Sequence, residues 1–191
     1  EAGDFESTSD TLATMIGTNQ TVTKHYIGQL GAAQVRNDLL STFNSGADLI
    51  HYVGHGGRNR IAAEGLMLND DVAAMTNSNT TPVVVALTCS LANFEQPLAA
   101  SLAEELVRHA SGGAGAVWAP SGLSHHPLAE QLGAEFFRSR FEDGLTTLGD
   151  IIELALLTFS LDEPENLWMP YMYNLIGDPA LQMKEIPAQQ P

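Results

Sequence analysis

Residues 82–90 read Pro-Val-Val-Val-Ala-Leu-Thr-Cys-Ser, and this stretch decides the fold. A continuous apolar, β-branched run of that length predicts a strand buried on both faces, which requires helices above and below the sheet. The surrounding chain supplies them. Upstream, Ala47–Val53 reads as a second strand and ends in Gly54-His55-Gly56-Gly57. Downstream, Gly115–Ala119 reads as a third. Between and around these lie helical patterns. Val35, Leu39, Leu40 and Phe43 form one stripe, stopped by Asn44-Ser45-Gly46. Pro97 is expected to open a helix carrying Leu98, Leu102 and Leu106. Pro127 starts another through Phe141, and Thr147 with Asp150 caps one through Leu161.

Shorter signals complete the reading. Ser7 and Asp10 form a capping pattern for a helix over residues 7–16, and Asn69 or Asp70 can cap one through Met75. Thr21–Ile27 reads as a short strand, and Tyr173–Ile176 and Ala180–Met183 as extended segments around Gly177-Asp178-Pro179. Gly112–Gly115 and the Pro/Gln tail over residues 184–191 read as loose. Strands alternating with helices predict an α/β fold, its mostly parallel sheet covered on both faces. No repeat or linker interrupts residues 1–191, whose length suits a single domain that buries about 70% of its unfolded surface.

Composition narrows the function. Eight basic against 23 acidic residues give a net charge of −15, which repels nucleic acid and anionic membrane surfaces. No run approaches the roughly 20 apolar residues of a membrane span. The single cysteine, Cys89, rules out a disulfide within the chain and a Cys-rich zinc site. Such a cysteine can be simply a small buried hydrophobe.

Its placement points further. In open α/β sheets ligands bind beyond the carboxyl ends of the strands. His55 and Cys89 each lie just past such an end, so both face one edge. A cysteine attacks as thiolate, and a nearby imidazole favours that form or relays the proton. His51 and Glu64 raise the alternative of a metal site with His55. Positions i and i+4 of a strand are about 13 Å apart, too far for one ion, so His51 is expected to be a packed or hydrogen-bonded strand residue and no metal is expected. Trp118 reads as core and Asp178 as a turn-fixing carboxylate. Asn93-Phe94-Glu95 can line the cleft.

The segment His51-Tyr-Val-Gly-His-Gly-Gly57 resembles the catalytic histidine turn of the gingipain-type cysteine peptidases, family C25. Residues 71–79 and 82–90 are similar to the helix, loop and strand that lead to their nucleophile, and Tyr173–Ala180 resembles their closing segment. The resemblance runs collinearly from Gly3 to Met183 and implies a caspase-like three-layer sandwich. It implies a cysteine endopeptidase with Cys89 as nucleophile, His55 as general acid/base, and an oxyanion hole from the backbone N–H groups of Gly56 and Cys89. It also implies walls for the specificity pocket from Ser121, Leu123 and His126, and an acidic floor at Asp4 or Glu6 favouring Arg or Lys. Chemistry then needs no cofactor, although structural calcium is allowed, and the expected partner is a protein or peptide substrate outside the cell or at its surface. Residue 1 is Glu, which reads as a processed or excerpted piece. The family's first sheet strand and the acidic partner of its histidine are expected to be missing, and another segment or chain to supply them. The different reading is a catalytically idle domain of the same fold, kept as a binding or structural module of a larger secreted protein.

Overall fold

The computed structural model describes residues 4–185. Three helices open it: α1 (Phe5–Thr14), α2 (Ile27–Leu30) and α3 (Ala32–Ser45). Strand β1 (Leu49–Val53) leads into a small antiparallel sheet of β2 (Gly56–Gly57), β3 (Arg60–Ile61) and β4 (Met67–Leu68). Then come α4 (Asn69–Val72), β5 (Val83–Leu87), α5 (Leu102–Arg108), β6 (Ala116–Pro120), α6 (His126–Phe141), α7 (Leu148–Asp162), α8 (Trp168–Met172) and β7 (Tyr173–Gly177).

The main sheet has the order β1-β5-β6-β7, parallel except for β7. All five residues of β5 and of β6 are buried, as the apolar runs require. Alternation splits them between two cores. Val83, Val85, Leu87, Ala116 and Trp118 meet Leu12 of α1 and the apolar faces of α6 and α7. Val84, Ala86, Val117 and Ala119 meet Val35 and Phe43 of α3, Val72 of α4, and Leu102 and Leu106 of α5. The result is helix, sheet, helix: three layers around a mostly parallel sheet. Trp118 is completely buried, with its ring 5.2 Å from that of Phe136.

Several elements differ from expectation. Asp4, not Ser7, caps α1, its carboxylate accepting the Ser7 N–H at 3.0 Å. Residues 21–26 are extended but pair with nothing, and Ile27 begins α2. Pro97 opens no helix: Leu98 is fully exposed at φ 65°, and α5 starts at Leu102 because Ser101 and Glu104 form a reciprocal capping box. Gly112–Gly115 is not loose. The buried Asn77 side chain accepts the Gly113 N–H at 2.8 Å and donates to its carbonyl at 2.9 Å. Ala180–Met183 adds only a single bridge, Gln182 with Thr147, and Asp178 fixes its turn by accepting the Ala180 N–H. Of the expected loose tail, residues 186–191 lie outside the described residues.

β1 is an edge strand, with β5 its one sheet neighbour among the described residues. The Val83 N–H donates to Asp48 O and the Gly54 N–H to Leu87 O. Parallel ladders use alternate residues, so Ile50 and Tyr52 bond to β5, while the backbone groups of Leu49, His51 and Val53 face the open edge.

Candidate active site

The register of β1 on β5 places His55 and Cys89. Val53 pairs with Leu87, and His55 and Cys89 each follow two residues later. Adjacent strands lie about 4.8 Å apart, so the two turns leave the sheet side by side. They also touch. A Cβ on Gly56 would sit 2.3 Å from Thr88 Oγ1 and 3.3 Å from Cys89 O, so only glycine lets the histidine turn lie against the cysteine turn. Gly54, at φ 153°, has its missing Cβ 2.5 Å from Tyr52 Oη. The glycines flanking His55 thus let this turn pack closely, Gly54 on Tyr52 and Gly56 on the cysteine turn. Tyr52 Oη donates to His55 O at 2.6 Å, and the Ala62 N–H donates to the same carbonyl at 2.9 Å. That second bond makes His55 and Ala62 a hydrogen-bonded pair in the antiparallel ladder. Gly56 and Ile61 are therefore a non-bonded pair, and the Gly56 N–H points away from β3.

Cys89 stands at the end of the rigid central strand and is half-buried. Ser90 follows at φ 54°, a left-handed conformation that costs on the order of 1–2 kcal/mol for an L-residue, and its N–H donates to Gly122 O at 2.8 Å. The Cys89 N–H makes no backbone hydrogen bond among the described residues. The thiol faces Ser124 O at 3.8 Å, so the loop after β6 flanks it. That loop is fixed from three sides. Ser121 Oγ donates to Met172 O, Asn93 Nδ2 donates to Ser121 O, and Ser124 Oγ meets Tyr173 Oη at 3.1 Å. Leu123 projects from it, 79% exposed.

His126 opens α6, its Nε2 3.3 Å from Thr8 Oγ1. Between the two imidazoles stands Phe5, whose ring lies edge-to-face 5.2 Å from His55 and 4.9 Å from His126. Sequence reasoning did not single out Phe5, although it lies between the two acids that were named. Those acids are engaged elsewhere. Asp4 caps α1, and Glu6 accepts from Gln29 Nε2 at 3.5 Å. Tyr52 and Thr88 also went unnoticed as site-building residues, because nothing in their spacing betrays a contact between two turns.

His51 packs edge-to-face on Phe137, and its buried Nε2 has no hydrogen-bond partner among the described residues. Burial pushes its pKa down to about 4. The described residues contain no cluster of three or more His, Cys, Asp or Glu side chains able to hold a metal ion. They offer structural calcium no carboxylate cluster. A cavity of about 520 Å³ follows the open edge of β1, walled by α1, residues 22–27 and α3, and reaches Gly54 and His55 at its end. No helix among the described residues is long and apolar enough to cross a membrane.

No curated protein sequence matches the chain. Among solved structures, it is similar to the Arg-specific cysteine proteinase gingipain R (RgpB): TM-score 0.78 at 18% identity, covering 95% of this chain and 43% of the other. It is also similar to the complex of Porphyromonas gingivalis RgpB pro- and mature domains, with TM-score 0.71 at 20% identity, covering 79% and 37%. The chain thus spans less than half the length of the solved chains it matches. These likenesses establish the gingipain caspase-like fold. Residues 1–184 match the sequence profile of peptidase family C25, and the chain belongs to that family of cysteine peptidases.

Proposed function

We propose that the chain carries the reactive centre of a cysteine endopeptidase, with Cys89 as nucleophile and His55 as general acid/base. The observation that supports this most is the register of β1 on β5, which brings both turns to the same level of the sheet. His55 takes the thiol proton, and the Cys89 thiolate attacks the scissile carbonyl. The resulting oxyanion accepts hydrogen bonds from the Gly56 and Cys89 N–H groups, donors worth roughly 3–4 kcal/mol each in other acyl-transfer enzymes. Collapse transfers the proton from His55 to the leaving amine and leaves a thioester on Cys89. Water, deprotonated by His55, then releases the acid and restores the thiol. Ser121, Leu123 and His126 wall the substrate cleft, and Asp4 stands at its rim as the cap of α1. The chemistry calls for no cofactor.

We further propose that an extended segment, from elsewhere in the polypeptide or from a second chain, pairs with the open edge of β1. The exposed backbone groups of Leu49, His51 and Val53 and the cavity beside them support this. In the full-length protein, slow hydrogen exchange of the Leu49, His51 and Val53 amides is the expected result. Exchange at the rate of an open edge counts against it, and protection that grows with protein concentration assigns the segment to a second chain. The resemblance to gingipains also leads us to place the protein outside the cell or at its surface.

A peptidyl electrophile tests the central reading. Rapid labelling of Cys89, lost by about three orders of magnitude or more in His55→Ala, is expected of the peptidase. Slow labelling indifferent to His55→Ala identifies a catalytically idle binding module instead.

A further inference from the structure

Resting on the peptidase reading, we infer that Tyr173 is a positioning residue for Cys89: its hydroxyl fixes Ser124, whose carbonyl sets where the thiol lies. The sheet topology brings Tyr173 to the site. β7 runs antiparallel to β6, so its first residues, not its last, stand at the edge where β1, β5 and β6 end. There Met172, Tyr173 and Asn174 meet the loop after β6. The Ser121 N–H and Oγ donate to Met172 O at 2.8 and 3.1 Å, and Asn174 Nδ2 donates to Ser121 Oγ at 3.1 Å. The turn after Cys89 holds the loop from its other flank. The Ser90 N–H donates to Gly122 O at 2.8 Å and the Ala92 N–H to Pro120 O at 3.0 Å.

These bonds secure residues 120–122 and stop there. Among the described residues the N–H groups of Leu123 and Ser124 make no backbone hydrogen bond, and helical bonding begins with the Ala129 N–H on His125 O. Ser124 is the residue of this stretch that reaches the thiol, its carbonyl 3.8 Å from Cys89 Sγ. Its anchor is the contact between Ser124 Oγ and Tyr173 Oη at 3.1 Å. Tyr173 suits that task. It is 4% exposed and its ring lies 5.3 Å from that of the buried Trp118, so core packing holds the side chain in one rotamer. Burial pushes its pKa well above the ordinary tyrosine range, so the hydroxyl stays protonated and the contact stays a neutral O–H···O bond. Release of Ser124 would free the sulfur that has to meet a peptide carbonyl, and a misplacement of about 1 Å costs on the order of 100-fold in rate.

The test resolves labelling of Cys89 in the full-length protein by a peptidyl acyloxymethyl ketone into binding, KI, and reaction, kinact. Iodoacetamide, which needs no cleft and no alignment, serves as the reference reagent. Tyr173→Phe keeps the buried ring and removes the hydroxyl alone. It is expected to lower kinact about 10- to 100-fold, with KI and the iodoacetamide rate little changed. Ser124→Ala, which breaks the same bond from the half-buried loop and leaves the core untouched, should lower kinact alike. The double variant should lose no more than the larger single loss, as two residues acting through one bond require. An unchanged kinact in either folded variant, losses that multiply in the double variant, or a parallel fall in the iodoacetamide rate overturns the positioning role and leaves the peptidase standing. Failure of the unaltered protein to label in a His55-dependent manner overturns the peptidase reading, and the positioning role falls with it.

Discussion

β1 and β5 are the same length, lie in register, and each delivers one reactive residue to the same end of the sheet, yet their surroundings differ. β5 has a sheet neighbour on either side and no exposed residue. Among the described residues β1 has one sheet neighbour, a partly exposed pattern, and a cavity along its free side. Cys89, the proposed nucleophile, thus follows the strand that is paired on both sides, and His55 follows one that other groups must hold. Tyr52, the β2–β3 hairpin and the Gly56–Thr88 contact do that holding. An active site assembled this way has one fixed jaw and one supported jaw.

The largest effect that separates the jaws is in stability. Leu87→Ala, at 2% exposure, is expected to cost about 2–5 kcal/mol in denaturant unfolding, and Leu49→Ala at the half-buried edge under half of that. Equal costs would erase the distinction. Next comes the joint. Gly56→Ala forces Thr88 away from the histidine turn, and kcat/KM on a peptide substrate should fall about 100-fold with a smaller loss of stability.

The third effect depends on pH. His51 stays neutral in the folded protein down to about pH 4, while its ordinary pKa is 6.5. Below 6.5 the unfolded chain therefore binds the extra proton, and stability falls as the pH drops from 6.5 towards 4. The residue keeps some exposure along the edge although its Nε2 is sealed, so up to about 2 kcal/mol is expected rather than the full shift. His51→Leu should flatten that part of a stability-against-pH curve. The smallest effect sharpens the account of the supported jaw. Tyr52→Phe removes one donor to His55 O, should cost no more than about 1 kcal/mol of stability, and should lower kcat/KM roughly five- to ten-fold.

Legibility in the sequence followed the same division. β5, β6, α3, α6 and α7 could be read because long apolar runs and helical stripes reflect burial directly. The β2–β4 sheet could not, since strands of two residues, one of them Gly-Gly, carry no period. Pro97 misled because a proline permits a helix start without compelling one, and Ser101 with Glu104 offered a better cap four residues from there. In the site, strand ends revealed His55 and Cys89. Phe5 stayed hidden because its position depends on how α1 lies across α6, a tertiary fact with no local signature. The close approach of Gly56 to Thr88 in the neighbouring turn had no local signature either.

The aromatic stack in the core has a spectroscopic consequence. Trp118 is enclosed between Phe136 and Tyr173, with its indole N–H unbonded. Trp168, the second of two tryptophans, is half exposed on α8, whose Met172 carbonyl anchors Ser121 beside Cys89. Dry indoles emit at shorter wavelength than wetted ones, so the two rings report separately. Blue-edge emission follows the integrity of the sheet, and red-edge emission follows the loop that borders the thiol. A ligand that orders the cleft should therefore quench or shift the red component alone, while the blue component stays unchanged until the whole domain melts.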